Sequence, residues 1–178
     1  KVLKTIIDGR TSDKKILEES KLMVAAVSIL FEKDNPDFPI YMIKRADEGK
    51  HALEWAFPGG KMEKTDFNLN DTAIRETNEE IGADVKDFEF WGELDPVMTL
   101  GTGWAIQPFV GEISNNPILT KNEEEVEEIA ITDKAPETQE ELPVTGGMHL
   151  YMIAIAALLL VLGTAALTIN KLIPTNKN

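Results

Sequence analysis

The most restrictive feature of this sequence is a short helix that carries three carboxylates. The pattern predicts a helix over residues 71–81 that ends at Gly82, a residue type that commonly terminates helices. Glu76, Glu79 and Glu80 stand at positions i, i+3 and i+4 of this helix, so they share one face. Three like charges this close repel one another unless a cation lies among them. A hard divalent cation such as Mg²⁺ takes oxygen ligands, keeps several waters and binds substrate phosphates.

A double glycine precedes the helix. Gly59 and Gly60 lack a Cβ, so backbone can approach the carboxylates there. The opposite helix face, with Ile74, Thr77 and Ile81, is expected to pack on a sheet. Glutamates at helical spacing alone are more often a solvated surface. The glycines, the acidic residues and an Arg-Glu pair combine within 25 residues, and this combination favours a phosphate and metal site.

The same stretch resembles the Nudix box, whose pattern is G-x5-E-x7-R-E-U-x-E-E-x-G-U, where U is a bulky aliphatic residue. Five residues lead from Gly60 to Asp66, which stands in place of the usual Glu. Eight residues, rather than seven, then lead to Arg75. Thr77 occupies a position that is usually aliphatic, and Ala83 is small.

The resemblance implies a set of metal ligands. Glu76, Glu79 and Glu80 would bind Mg²⁺ or Mn²⁺, and the Gly59 carbonyl would be a further ligand. Glu76 would position or deprotonate the water that attacks a diphosphate phosphorus. Members of the family often recruit another acidic residue from a later loop. Residues 123–128 contain candidates for this role, and the alternative is that they form a solvated acidic stretch.

The resemblance also implies supporting and substrate-binding residues. Arg75 would orient the glutamates through charge-assisted hydrogen bonds, and Asp66 would brace the loop that begins at Gly60. Arg45 and Lys61 flank the expected phosphate site and are candidates for substrate contact.

Several segments resemble the coenzyme A pyrophosphatase branch of the family, namely residues 56–61, 94–98 and 107–111. Upstream of the box the branch signature is matched loosely, and Leu53 stands where a glycine belongs. Two classes of substrate therefore remain, a coenzyme A-like diphosphate and a nucleotide-sugar-like diphosphate.

The resemblance covers about residues 22–131 and implies an α/β fold, an α/β/α sandwich with a mixed sheet that a C-terminal helix usually closes. We predict a folded domain over residues 1–131, without that closing helix. Either residues 14–21 partly cover the exposed face, or the domain is truncated. The apolar, β-rich runs predict strands over residues 22–31, 39–44, 87–94 and 104–113.

The C-terminal part has a different composition. Residues 122–141 carry nine acidic residues and one Lys, which predicts an acidic linker over residues 132–147. Residues 150–169 then contain no charge at all, and twenty apolar residues span about 30 Å as a helix. We expect one transmembrane helix over residues 148–170 and a short basic tail over residues 171–178.

The five residues before this run resemble the LPXTG sorting signal of Gram-positive surface proteins: Leu142, Pro143, Val144, Thr145 and Gly146. The resemblance implies that sortase cleaves after Thr145 and joins it to peptidoglycan. The alternative is a plain membrane anchor with a coincidental pentapeptide. The expected location is the membrane or the cell wall surface, and a cytoplasmic-facing domain stays open.

Charge and composition narrow the function classes. The net charge of −13 repels phosphate backbones, so we expect no nucleic-acid partner. The absence of Cys excludes a disulfide framework and a cysteine nucleophile. Two hypotheses remain. The first is a tethered, Mg²⁺-dependent Nudix-type hydrolase that cleaves the diphosphate linkage of a nucleoside diphosphate derivative. The second is a non-enzymatic, surface-anchored binding module on a degenerate Nudix scaffold.

Overall fold

The computed structural model describes residues 2–19, 22–48, 51–99 and 103–132. The acidic linker, the sorting motif, the predicted membrane helix and the basic tail all lie outside the described residues, apart from Thr132 at the end of the last strand. The helices are α1 (Val2–Asp8), α2 (Lys15–Glu19) and α3 (Leu69–Ile81), with a 3-10 turn at Val85–Asp87. The strands are β1 (Met23–Glu32), β2 (Ile40–Arg45), β3 (Trp55–Ala56), β4 (Gly59–Lys61), β5 (Phe88–Glu93), β6 (Val97–Met98), β7 (Trp104–Ile113) and β8 (Val126–Thr132).

One sheet contains all eight strands. Its mixed character was predicted, although only four of the strands were. The central strand β1 runs parallel to β7 along its whole length, from Met23 opposite Trp104 to Glu32 opposite Ile113. The other edge of β1 pairs antiparallel with β4 near its start and meets β2 at its end. Strand β2 extends the sheet to β3 and β8, while β5 and β6 pair with β7. This arrangement places β4 at the middle of the sheet, beside the central strand.

Helix α3 packs on one face of the sheet. Successive side chains of a strand point to opposite faces, and β1 is buried on both of them. Its residues Ala26 and Leu30 contact clusters that include Ala73 and Ile81 of α3. Helix α3 begins at Leu69, two residues earlier than predicted, because the Asn68 side chain accepts a hydrogen bond from the helix backbone and caps its N-terminus.

The other face of the sheet is covered in part by the N-terminal helix α1. Ile7 is only 1% exposed and joins a cluster with Ile29 and Phe31 of β1. The backbone of α1 comes close to β5 at Gly92, where a Cβ would lie 3.0 Å from the Ile7 carbonyl oxygen. Helix α1, which was not predicted, thus provides part of this cover, while residues 14–21 approach the sheet at Lys14, which pairs with Glu93. The alternative of a truncated domain stays a prediction. Within the described residues no helix follows β8.

Ionic and polar contacts fix the segment that follows α1. Arg10 pairs with Asp95 at 2.5 Å, and the Ser12 hydroxyl donates to the Leu94 carbonyl at 2.9 Å. Lys14 pairs with Glu93 at 2.7 Å. These contacts join the N-terminal segment to the end of β5 and to the residues that follow it.

Strand β8 and the short strands β3, β4 and β6 were not predicted. The acidic residues of β8 point to solvent, whereas Val126 is fully buried.

None of the helices among the described residues has the length and apolar character needed to cross a bilayer. The predicted span over residues 148–170 lies outside them.

Candidate active site

The site lies where β4 meets α3. The antiparallel pairing of β4 with β1 places Gly59 opposite Val27 and Gly60 opposite Ala26. The Gly59 amide donates a hydrogen bond to Glu80 Oε2 at 2.8 Å. This bond links the glycine strand directly to the helix.

The double glycine is required by close packing on both sides of β4. A Cβ at Gly59 would collide with the Ala26 carbonyl oxygen and with Val27 of β1. A Cβ at Gly60 would overlap the carboxylate of Glu76. A side chain at either position would therefore push the strand away from β1 or the helix away from the strand.

The three glutamates of α3 do not share one environment, contrary to the simple picture of one acidic face. Glu80 is 2% exposed, the Glu76 side chain is 12% exposed and the Glu79 side chain is 50% exposed. Burial raises the pKa of Glu80 to about 8, although the Gly59 amide opposes that shift. Burial also raises the pKa of Glu76, against the effect of the neighbouring Arg75 guanidinium. The two buried carboxylates therefore lack the water that would stabilise their charge.

Arg75 connects the helix to the loop that precedes it. Its guanidinium donates to Asp66 through Nε and Nη2, both at 3.0 Å, in a bidentate pair. Its Nη1 donates to Glu76 Oε1 at 2.8 Å and to Glu79 Oε2 at 2.9 Å. Its Nη2 also reaches the Lys61 carbonyl at 2.9 Å. One side chain thus holds two glutamates, the loop aspartate and strand β4.

Asp66 accepts two further hydrogen bonds, from the Glu63 amide and the Thr72 hydroxyl, both at 2.9 Å. Its side chain is 4% exposed, and the Arg75 guanidinium holds its pKa well below the usual range. Despite the extra residue between Asp66 and Arg75, the Asp66 carboxylate therefore still binds the Arg75 guanidinium.

Thr77, at the usually aliphatic position, is fully buried and forms a hydrogen bond with Ser28 of β1 at 2.7 Å. Ser28 is the one polar side chain inside the apolar run of β1, and this is the sequence signal that could have revealed its partner. The substitution in the box is thus matched by a polar residue on the facing strand.

A further acidic residue, Glu125, comes from the loop between β7 and β8. Backbone amides of this loop cap the end of α3, since Thr120 donates to the Ile81 carbonyl at 2.9 Å and Asn122 to the Glu80 carbonyl at 3.0 Å. The charge of Glu125 raises the pKa of both Glu76 and Glu80, so it lies near both carboxylates. Sequence reasoning named residues 123–128 without a choice among them. The choice depends on how the loop packs against the helix.

The two predicted substrate-binding residues have different positions. Arg45 lies at the end of β2, and its charge lowers the pKa of Glu80 against the effect of burial. The Lys61 side chain is exposed at the end of β4, and the Lys61 carbonyl contacts Arg75. The structure therefore brings Arg45 close to the carboxylates and leaves the Lys61 ammonium at the solvent edge.

Comparison with known proteins identifies the family. A family model described as the NUDIX domain matches residues 21–143. This chain belongs to the Nudix family.

Among curated Nudix relatives, an uncharacterized Nudix hydrolase NudL of Pectobacterium atrosepticum is 37% identical over 86 residues, which is 48% of this chain and 44% of that protein. The protein with the same description from Yersinia enterocolitica is 36% identical over 92 residues, which is 51% of this chain and 47% of that protein. The similarity thus spans less than half the length of these relatives. The crystal structure of a C. elegans Ap4A hydrolase binary complex superposes with a TM-score of 0.51 at 16% identity, over 60% of this chain and 77% of that one, and shows the shared fold.

Nudix hydrolases generally use divalent metal ions, and the residues of this site fit such an ion. The carboxylates of Glu76 and Glu80 offer oxygen atoms, the ligands that hard cations prefer. The Glu76 carboxylate occupies the space beside Gly60 that a Cβ would take. Among the residues that the structure describes, no three acidic or histidine side chains converge into a closed ligand set. Arg75 holds Glu76 and Glu79 instead, so metal binding would require it to share these two carboxylates.

Proposed function

We propose that this chain is a Mg²⁺- or Mn²⁺-dependent Nudix hydrolase that cleaves the diphosphate linkage of a nucleoside diphosphate derivative. The observation that carries the proposal is the buried Glu80 carboxylate, which receives the Gly59 amide and lies near the carboxylates of Glu76 and Glu125. Arg75 pairs with Glu76 and Glu79, and burial still raises the pKa of Glu80, so a bound cation would stabilise the ionised form of Glu80.

Electrostatics also argues against diphosphate binding by these side chains alone. A diphosphate would be repelled by the acidic cluster, and Arg75 already pairs with Asp66, Glu76 and Glu79. When bound, a divalent ion would neutralise charge on the phosphate oxygens and lower the pKa of a water. Glu76, Glu79, Glu80 and the Gly59 carbonyl are the groups proposed to hold it.

The chain's own residues have distinct roles in the proposed reaction. Glu76 positions a water molecule or accepts its proton, because Arg75 and the fit against Gly60 hold its carboxylate in a fixed place. Arg75 keeps Glu76 and Glu79 oriented, and Asp66 in turn fixes the guanidinium plane of Arg75. Arg45 contacts a substrate phosphate, with Lys61 at the entrance.

For the substrate we propose a coenzyme A-like or nucleotide-sugar-like diphosphate. The support is the sequence resemblance of residues 94–98 and 107–111 to the coenzyme A pyrophosphatase branch. These residues include strand β6 and part of β7, the strand parallel to β1. Strand β7 pairs with one edge of β1, and β4, which carries the two glycines, pairs with the other.

The rival hypothesis, a binding module without catalysis, was motivated by the irregular box and the missing closing helix. The bidentate pair between Asp66 and Arg75 compensates for the extra residue, and α1 covers the second face. These contacts favour the hydrolase.

The proposal includes tethering to the membrane or cell wall through residues 142–170. Its support is the order of the pentapeptide, the uncharged run and the lysines in the sequence. Treatment with sortase and a glycine nucleophile, followed by mass spectrometry, should show cleavage after Thr145. A Thr145→Ala variant is the matched control. Cleavage elsewhere, or none, would leave the plain anchor as the explanation.

Activity is tested with the full chain in detergent, with and without Mg²⁺, against coenzyme A, ADP-ribose, NADH and dinucleoside polyphosphates. The expected result is metal-dependent release of a mononucleotide from one of these classes. A folded protein that binds a nucleotide but shows no metal-stimulated hydrolysis would support the binding module instead.

A further inference from the structure

A buried pair of hydroxyl groups joins α3 to the central strand. Ser28 and Thr77 are both fully buried, and their oxygens lie 2.7 Å apart. The Thr77 hydroxyl is also 2.7 Å from the Ala73 carbonyl, whereas Ser28 Oγ is 3.3 Å from it. The shortest set of bonds has Thr77 donating to Ala73 and Ser28 donating to Thr77, which satisfies both protons.

Ser28 also holds the glycine strand. Its amide donates to the Pro58 carbonyl at 2.8 Å, immediately before the Gly59 amide that binds Glu80. Thr77 follows Glu76 in the helix and precedes Glu80 by three residues. One strand residue is therefore bonded to both structures that form the candidate metal site.

The hydrogen bond between Thr77 and Ser28 differs from the apolar contact that the usual aliphatic residue would make at position 77. An apolar contact is non-directional, so it tolerates a small slide of the helix along its axis. A hydrogen bond between two hydroxyls weakens when its distance or angle changes. The fit of Gly60 against the Glu76 carboxylate leaves no space for even one carbon, so a small slide of α3 would alter this contact.

We propose that Ser28 and Thr77 are positioning residues that fix the axial position of α3 relative to β1 and β4. In this position Glu80 receives the Gly59 amide and Glu76 lies against Gly60. The effect on catalysis rests on the proposed hydrolase function, whereas the effect on the contact between Gly59 and Glu80 does not.

Two matched variants at one position separate the hydroxyl from packing. Thr77→Val keeps the shape and removes the hydroxyl, while Thr77→Ser keeps the hydroxyl and removes a methyl group. In the metal-free full chain, amide hydrogen exchange at Gly59 should be several-fold faster in Thr77→Val and close to wild type in Thr77→Ser. In the active protein, Thr77→Val should weaken Mg²⁺ affinity by about tenfold, the usual size of the loss when a group that orients a metal ligand is removed. The loss should appear in kcat at limiting metal rather than in KM for substrate.

A second route removes both hydroxyls. Ser28→Ala combined with Thr77→Val leaves no unsatisfied group, so this double variant should keep near wild-type stability. Its Gly59 exchange and metal affinity should match those of Thr77→Val alone, because the two residues act as one unit. Ile29→Val, on the opposite face of β1, is the control for a general loss of packing, and it should leave both readouts unchanged.

The outcomes distinguish this proposal from the proposed function. If wild type shows no metal-stimulated hydrolysis, the function fails, but the exchange comparison still decides the role of the pair. Equal effects of Thr77→Val and Thr77→Ser would show that packing matters and would overturn the proposal. Wild-type Gly59 protection in Thr77→Val and in the double variant would overturn it as well.

Discussion

The two faces of the sheet differ in what they bury. The face under α3 encloses polar groups, including Ser28, Thr77 and Glu80, and each of them has a specific hydrogen-bond partner. The opposite face encloses an apolar cluster that contains Ile7 and Phe31, with Trp91 stacked on Phe31 at a centroid distance of 6.0 Å.

Within this domain the buried polar groups under α3 belong to the candidate site, whereas the cluster under α1 contributes to stability. Buried polar and charged groups contribute little net stability, and an unpaired charge is costly. Buried apolar area contributes about 25 cal/mol per Å². Apolar clusters are buried on both faces, and together they supply the stabilisation that allows the α3 face to keep its carboxylates dehydrated. Four predictions test this division, from the largest expected effect to the smallest.

The largest effect is expected at Glu80. Glu80→Gln should lower metal-dependent turnover by at least about two orders of magnitude, because it removes a charge directed at the reacting groups. The metal-free protein should stay folded, since the amide still accepts from Gly59. Steady-state kinetics with circular dichroism will check both. Glu123→Gln is the control, as the Glu123 side chain is 77% exposed and paired with Lys121. Unchanged turnover in Glu80→Gln would remove the catalytic assignment of this face.

The apolar cluster under α1 should contribute to stability and not to turnover. Ile7→Ala should lower the free energy of unfolding by about 2–5 kcal/mol, because it opens a cavity in the main cluster. The neighbouring Ile6 is 37% exposed, so Ile6→Ala should cost about 1 kcal/mol or less. Urea denaturation measures both. Equal costs would mean that α1 does not contribute to the core.

Stability should depend on pH in a direction set by Glu80. Its pKa in the folded protein, about 8, lies above the ordinary value of 4.5. The unfolded chain therefore ionises first, and this residue makes the metal-free protein less stable as pH rises from about 4.5 to about 8. Asp66 acts in the opposite sense at lower pH, because its pKa is lowered, and its contribution is lost as pH falls below its ordinary value of 3.8. Unfolding titrations should show a steeper decline above pH 4.5 in wild type than in Glu80→Gln, where only the raised pKa of Glu76 still contributes. The same slope in both proteins would show that Glu80 is not the group responsible.

The smallest effect is expected at Leu53. This residue has φ = +60°, a left-handed conformation that costs an L-residue about 1–2 kcal/mol. Its amide donates to the Arg45 carbonyl at 3.2 Å, so the strain lies beside a candidate substrate residue. Leu53→Gly should raise the free energy of unfolding by about 1 kcal/mol, and Leu53→Ala should not. A gain from both variants would assign the effect to the exposed side chain instead.

The main strands and the central helix could be predicted from the sequence. The predicted strand over residues 104–113 matches β7 at both ends, and the helix ends at Gly82, which has φ = +66°. Apolar runs and a glycine cap are local features of the sequence, so they predict strands and helix ends without knowledge of the tertiary structure. Strand β8 was missed because its solvent-facing acidic residues conceal the inward-facing Val126. Helix α1 was missed because its short apolar cluster gains its partners only from the folded sheet.

The sequence predicted which residues form the candidate site, but it did not predict how deeply each side chain is buried or which residues it contacts. The sequence alone determined the resemblance to the family, the glycine pair and the helix with its glutamates, because spacing along a helix and the absence of a Cβ are local properties. Only the tertiary structure decided that Glu80 is buried and Glu79 is not, that Glu125 is the acidic loop residue near the site, and that Ser28 is the partner of Thr77. The physical reason is that burial, and the pKa shifts that follow from it, depend on which distant strand or loop packs against each side chain.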